Sequence, residues 1–266
     1  MPREYGSDYM RRTMAARLVV GAALAVAAGL LSIAPANAVA DGTPATPGQY
    51  PFAVKFTMTN IPRPDGSHYN SACSGALIAP LWVITAGHCF HDVNRVRVSG
   101  PPLYQTTATL GTVNLATSPG ETRDIVDVRQ SAVNDIALAK LSAPITDIIP
   151  LVVNPTTPKV GQELELAGWG ATSDVNATPG TVLNTGTVAV GEVDTDTLGV
   201  HGVYPSPDTS ACLYDSGAPY FVPVGSKAGV LMSVESSGPD CPHDQLETTS
   251  RVDVIFQWIY QQILTG

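Results

Sequence analysis

Three short stretches carry side chains suited to nucleophilic chemistry. WVITAGHC (82–89) ends an apolar run on His88. NDIALAKL (134–141) sets Asp135 just ahead of a second apolar run. ACLYDSGAPYF (211–221) holds Ser216 in an Asp-Ser-Gly turn. An isolated serine hydroxyl is a poor nucleophile at neutral pH and needs a base within hydrogen-bond reach. The imidazole in turn needs a carboxylate to hold its tautomer and stabilise its charged form. Each stretch alone is weak, because Asp-Ser-Gly is a common turn and a histidine before a cysteine is more often structural. Together, in the order His, Asp, Ser, they make one candidate site: His88 as base, Asp135 as its orienting carboxylate and Ser216 as nucleophile.

Such a site needs elements that bring residues 88, 135 and 216 together. Between Pro and Gly punctuation the segments are short and rich in β-formers: FAVKFTM, GALIAPLWVITA, NRVRVSG, DIALAKL, ELELAG, TVAVGEV and GVLMSV. Some alternate apolar and polar residues, and others are continuous apolar runs, as in strands buried on both faces. With 24 Gly and 22 Pro in 266 residues, this predicts an antiparallel barrel or sandwich rather than βαβ units. The C-terminal stretch differs. RVDVIFQWIYQQI spaces Val252, Ile255, Ile259 and Ile263 as one face of an amphipathic helix, with Thr249 or Ser250 as candidate caps. NPTTPKVGQ (154–162) is the most linker-like interior stretch.

The first 38 residues read as an export leader. Arg11, Arg12 and Arg17 precede an apolar run from Leu18 to Ile33, and Ala36-Asn37-Ala38 offers a small-residue cleavage site. The run is short for a membrane span. Ala38-Val39-Ala40 offers a rival cut that would start the chain at Asp41. Setting aside the four arginines and two acidic residues of 1–38 leaves 10 basic and 21 acidic residues, a net charge of −11. That balance disfavours nucleic acid and anionic membranes as partners. Cys73, Cys89, Cys212 and Cys241 form an even set in an exported chain, which suggests two disulfides with three possible pairings. A zinc site around Cys89, His88 and His91 is the weaker alternative, because no C-x-x-C pair is present. No cofactor and no metal are expected.

At this point the chain resembles the chymotrypsin/trypsin family of serine endopeptidases over essentially all of residues 39–266. SGALIAPLWVITAGHC is similar to the family's stretch ending Ala-Ala-His-Cys, with Gly87 in place of the second alanine. NDIALAKL resembles its aspartate strand, VGQELELAGWG its Gly-Trp-Gly strand, and SRVDVIFQWI its C-terminal helix. The resemblance implies two six-stranded antiparallel β-barrels (about 39–153 and 154–266) with a C-terminal α-helix. It also implies disulfides Cys73–Cys89 and Cys212–Cys241, and protein or peptide substrates for a secreted monomer. VADGTPATPGQYPFAV resembles the family's mature start, so a freed Val39 amino group would pair with Asp215. The oxyanion would be held by the N–H groups of Tyr214 and Ser216. Ser210, Ser233 and Glu247 fall at or near the specificity pocket. Ser210 suits an apolar substrate side chain, whereas Glu247 would attract a basic one. Ser233 resembles the serine that supports the triad aspartate.

Tyr214 and Ala218 stand where the family usually has glycine. If the turn demands a glycine-like φ at Tyr214, holding it there costs about 1–3 kcal/mol. If the turn relaxes instead, one oxyanion donor is lost. The two cases correspond to a working endopeptidase and to a catalytically impaired homologue that acts as a binding module.

Overall fold

The computed structural model describes residues 38–266. The expected leader therefore lies outside the described residues, apart from Ala38. After a two-residue strand β1 (Thr43–Pro44) come β2 (Ala53–Pro62), β3 (His68–Ala79), β4 (Trp82–Ala86), β5 (Gln105–Leu110), β6 (Glu121–Gln130) and β7 (Ile136–Leu141). These six close into an antiparallel barrel in the order β2-β3-β4-β7-β6-β5. Another two-residue strand, β8 (Val152–Val153), leads to β9 (Glu163–Gly168), β10 (Asn184–Val193), β11 (Thr197–Tyr204), β12 (Pro219–Val224), β13 (Ala228–Ser237) and β14 (Glu247–Arg251). They form a second ring, β9-β10-β11-β14-β13-β12, closed by pairing of β12 with β9. Helix α1 (Phe256–Thr265) ends the chain. The two six-stranded barrels and the terminal helix are the architecture expected from the sequence.

The strands form where inward residues are apolar and large. β4 (WVITA) is buried throughout because it lies between β3 and β7 and faces the core and the second barrel. Phe52, Phe56, Leu77, Ile84, Leu110 and Leu138 fill the first barrel, and Leu164, Leu166, Val188, Val200 and Tyr220 fill the second. Full burial of side chains of this size contributes roughly 1.5–3 kcal/mol each. Phe221 of β12 packs edge-on against Tyr50 (4.9 Å) and Phe52 (5.1 Å), so aromatic rings carry the core from one barrel into the other. This continuous packing makes the cleft between the barrels a defined surface.

The ends cross between the halves. β1 pairs with β10, and β8 runs parallel to β13. Conversely, Val252, Ile255 and Ile259 join the core of the first barrel. Arg129 of β6 donates from Nη1 to the Gln262 carbonyl (2.9 Å) and stacks on Trp82. Two local expectations fail. Thr249 and Ser250 do not cap α1, because β14 runs on to Arg251 and a 3-10 turn (Asp253–Ile255) precedes the helix. Thr249 instead donates its hydroxyl to Ser233 (2.8 Å). NRVRVSG is not a strand. The Asn94 and Val96 amides donate to Asp92 Oδ1 and Arg95 takes φ +65°, which folds the segment into a turn with only isolated bridges.

Candidate active site

The apolar run of β4 ends at Ala86 and breaks into a 3-10 turn, Gly87–Cys89, which lifts His88 out of the barrel wall. Asp135 sits directly ahead of β7, the strand paired with β4, so strand pairing brings the two together. The Gly87 amide donates to the Asp135 carbonyl (3.1 Å), and the His88 amide donates to Asp135 Oδ1 (2.8 Å). His88 Nδ1 lies 2.6 Å from Asp135 Oδ2, and Nε2 lies 2.9 Å from Ser216 Oγ. The structure thus assembles the three sequence-derived residues in a continuous relay. With the Nδ1 proton given to Asp135, Nε2 is left as the acceptor facing the serine hydroxyl. Burial alone would raise the Asp135 carboxyl. The hydrogen bond and charge of His88, with the Ser236 hydroxyl, outweigh it and hold the carboxyl below its ordinary value.

Gly87 has a local reason. A Cβ there would stand 2.6 Å from Arg97 Nη1 and 2.6 Å from Gln130 Oε1. Arg97 uses that space to reach the Asn134 carbonyl (2.8 Å) and comes within 3.5 Å of Asp135 Oδ1. The sequence pattern did not reveal this arginine, because it lies in the segment misread as a strand.

The serine turn is held from several sides. The Cys73–Cys89 bridge ties the histidine turn to β3, and Cys212–Cys241 ties the serine loop to the segment after β13. Both pairings are those the resemblance implied. Asp215 N–H donates to the Cys212 carbonyl (2.9 Å), and Gly217 N–H donates to the Glu235 carbonyl (2.8 Å). Gly217 takes φ +84°, and any Cβ would strike Thr85 and the backbone of Ser74 and Ala86. Ala218, at the other glycine-like position, is fully buried in the second core, so its methyl group is accommodated.

Tyr214 takes φ +76°. Of the two cases open to the sequence, the turn therefore adopts the glycine-like one. Ser74 explains how it is held. Its Oγ donates to the Tyr214 carbonyl (3.2 Å) and accepts from the Trp169 amide (3.0 Å), so that carbonyl is anchored inward. The N–H groups of Tyr214 and Ser216 donate to no acceptor among the described residues. Two such amides beside a serine Oγ suit the stabilisation of a developing oxyanion.

Asp215 is wholly buried. Its Oδ1 accepts from the Gly170 amide (2.7 Å) and its Oδ2 from the Cys212 amide (3.1 Å), and the nearby Val39 amide also favours its ionised form. Gly168 and Gly170 make room for it, since a Cβ on either would fall on the carboxylate. Burial, helped by the charge of Glu247, pushes the Asp215 carboxyl up to about 7, although the three amides pull it down. Val39 is itself fully buried beside this carboxylate.

The three pocket residues taken from the sequence lie elsewhere than expected. A pocket of about 240 Å³ opens next to Ser216 and is lined by Ala211, Tyr214, Glu235, Ser236 and Asp240, among others. Ser210 is not on its surface: it pairs with Ala40 beneath the pocket and is 2% exposed. Glu247 is buried behind the wall, where its Oε1 accepts from the Ala211 amide and its side chain lies across Gly238. Ser233 does not reach Asp135. It accepts the Thr249 hydroxyl inside the second barrel, and it is Ser236 whose Oγ donates to Asp135 Oδ2 (2.8 Å). The register of β13 shifts between Glu235 and Ser237, and the serine that reaches Asp135 lies three residues beyond the one the resemblance implied. The Ser-x-Gly ahead of Cys241 was the signal that would have found it.

Among the described residues no cluster of metal-ligating side chains occurs, and no helix is long and apolar enough to cross a membrane.

Comparison with known proteins places this geometry in a family. The family model described as Trypsin matches residues 39–259. Mouse serine protease 56 is 27% identical over 258 residues, which cover 86% of this chain and 39% of that protein. Human trypsin-3 is 34% identical over 118 residues, or 42% of this chain and 36% of that protein. The chain thus spans well under half the length of these two relatives. Among solved structures, neuropsin, a serine protease expressed in mouse brain, superposes with a TM-score of 0.65 at 19% identity. That match covers 85% of this chain and all of the other, and it bears on the fold alone. With the family model spanning both barrels and the whole relay, the chain belongs to the trypsin family.

Proposed function

We propose that the protein is a secreted serine endopeptidase working through His88, Asp135 and Ser216. The observation that carries this reading is the unbroken relay Asp135 Oδ2–His88 Nδ1 and His88 Nε2–Ser216 Oγ, at 2.6 and 2.9 Å. Ser216 Oγ attacks the scissile carbonyl while Nε2 takes its proton, and the carbonyl oxygen becomes an oxyanion facing the amides of Tyr214 and Ser216. The C–N bond then breaks as Nε2 returns the proton to the leaving amine, which leaves an acyl-serine. Water, deprotonated by the same nitrogen, attacks the acyl carbonyl; the acyl C–Oγ bond then breaks as Nε2 returns that proton to Ser216 Oγ, and the acid is released. Asp135 stays ionised throughout and stabilises the imidazolium.

Export supports a second element of the reading. A cut after Ala38 would free the Val39 amine next to Asp215, whose burial leaves it in need of a cation. The ammonium would bring the carboxyl back down, and the pair would brace the serine turn. Peptide hydrolysis by the secreted protein tests the reading. The Ser216→Ala and His88→Ala variants should each lose at least about 10⁴-fold in kcat, and the residual rate should come from the oxyanion site and binding alone. Full-rate hydrolysis by Ser216→Ala would reject it.

A further inference from the structure

Asn184, at the start of β10, is 1% exposed, and neither its Oδ1 nor its Nδ2 finds a hydrogen-bond partner among the described residues. A buried carboxamide unmatched on both atoms is costly, because each polar atom has lost water and gained nothing in its place. Strand register shows which way it faces. Asn184 pairs directly with Gly168 of β9, and directly opposed residues project from the same side of a sheet. A Cβ on Gly168 would fall on Asp215 Oδ1 and stand 3.4 Å from a Val39 methyl group. Gly186, two residues along β10, shares that face, and a Cβ there would stand 3.7 Å from the other Val39 methyl group. Leu164, Leu166 and Val188 continue the face and pack with Val39 in the second core. Thr185 and Thr187 take the opposite face, where their hydroxyls bond Glu165. The unmatched amide therefore borders the chamber that holds Val39 and the Asp215 carboxylate.

With the Ala38–Val39 bond intact, the Val39 nitrogen carries one proton. Once that bond is cut it becomes an ammonium with three, which point tetrahedrally apart. Asp215 already takes an amide on each oxygen and can face only part of such a group. The other charged groups near the chamber offer no acceptor. Glu247 acts on Asp215 from behind the serine loop, but its oxygens are engaged by the Ala211 amide and the Tyr220 hydroxyl. Lys55 is itself a cation and spends its ammonium on the Gly180 carbonyl, beside Ala38. Among apolar neighbours, Asn184 Oδ1 is the acceptor left over.

Resting on the reading that a cut after Ala38 frees the Val39 amine, we propose that Asn184 is a positioning residue for that amine: its Oδ1 accepts one ammonium proton while Asp215 accepts another. In the uncut chain the amide is an unmatched polar group and weakens the fold. In the cut chain it stabilises the new charge and holds it against Asp215, and through Asp215 it steadies the serine turn. One side chain thus favours the mature form over its precursor.

Asn184→Leu, nearly isosteric and without polar atoms, tests this in two forms of the protein. With the Ala38–Val39 bond intact, the urea midpoint should hold or rise. In protein prepared with Val39 as its first residue, it should fall. In that form the alkaline midpoint of kcat should also drop by about one pH unit, because an ammonium deprived of a charge-assisted acceptor gives up its proton sooner. The sign follows from linkage: stability from a cation with a raised folded pKa is present at low pH and lost as pH rises through that value. Should the variant fail to fold, a crystal structure of the unaltered Val39-started protein decides, with the Val39 nitrogen expected within about 3.2 Å of Asn184 Oδ1. A midpoint shift of the same sign in both forms, an unmoved alkaline limb, or a Val39 nitrogen out of reach of Oδ1 overturns the proposal and leaves the activation reading intact. A Val39-started protein that a fluorophosphonate probe labels no faster than the uncut form overturns that reading and the proposal with it.

Discussion

Replacing Tyr214 by glycine separates the conformation of the serine turn from the side chain that occupies it. A non-glycine residue at φ +76° costs roughly 1–2 kcal/mol relative to glycine. Glycine loses about 0.4–1 kcal/mol of this through the greater freedom of the unfolded chain. The tyrosine side chain itself is only partly buried, and its hydroxyl makes one long contact, 3.4 Å to the Ala177 carbonyl. The net change is about 0–1.6 kcal/mol in favour of Tyr214→Gly, or a rise in Tm of no more than about 6 °C for a domain of this size. Activity should move little. The oxyanion donor is the peptide N–H, and the Tyr214 carbonyl is already anchored on Ser74 Oγ. The expected kcat on a peptide ester, normalised to titrated sites, lies within about threefold of the unaltered protein. A turn that held the donor out of place would behave otherwise, because restoring one such donor is worth about 10²–10³ in kcat. A gain of that size, or a clear fall in Tm, would refute the argument that this turn is already formed with tyrosine in it.

Other outcomes follow from the same geometry. Gly87→Ala should lower stability by about 1–2 kcal/mol by crowding Arg97 and Gln130. Because the clash is with Arg97 in part, the loss should be smaller in an Arg97→Ala background, as measured by urea unfolding of the double-mutant cycle. Ser236→Ala should lower kcat/KM by about tenfold through loss of one hydrogen bond to Asp135, whereas Ser233→Ala should leave the pH profile of kcat/KM in place. A chain still carrying residues before Val39 should lose stability as pH rises from about 4 to about 7. Folded Asp215 keeps its proton up to about 7 while the unfolded carboxyl gives it up near its ordinary value. The folded state thus binds more protons across that window, and the loss is at most about 4 kcal/mol. A chain that begins at Val39 should show a much smaller loss, because the ammonium stabilises the ionised carboxyl. Urea midpoints of the two forms at pH 4.5 and pH 8 decide it.

The residues of the relay were legible because each lies where an apolar run meets a turn, which short motifs mark well. β11, β12 and β14 were missed as well, and two further missed strands were of another kind. β5 (QTTATL) and β6 (ETRDIVDVRQ) face solvent on one side and carry too few apolar residues to announce themselves. The barrel pairs them all the same, because β2 and β7 present open edges to them. The pocket was the least legible part. Its wall depends on a strand irregularity between Glu235 and Ser237, and its depth depends on where the Glu247 side chain lies. Both are properties of packing across β12, β13 and β14 rather than of any one segment. Arg97 escaped for a similar reason. Its role exists only because Gly87 leaves a space the size of a guanidinium nitrogen beside Asp135.

The proposed reaction stands on Ser216 being a nucleophile activated by His88. The most direct measurement is the intact mass of protein prepared with Val39 as its first residue after a fluorophosphonate reaction, with Ser216→Ala and His88→Ala alongside. The expected result is one adduct per chain, mapped to the peptide holding Ser216, no adduct in Ser216→Ala, and a labelling rate lower by orders of magnitude in His88→Ala. An unlabelled protein with intact disulfides would contradict it, as would an adduct that persists in Ser216→Ala.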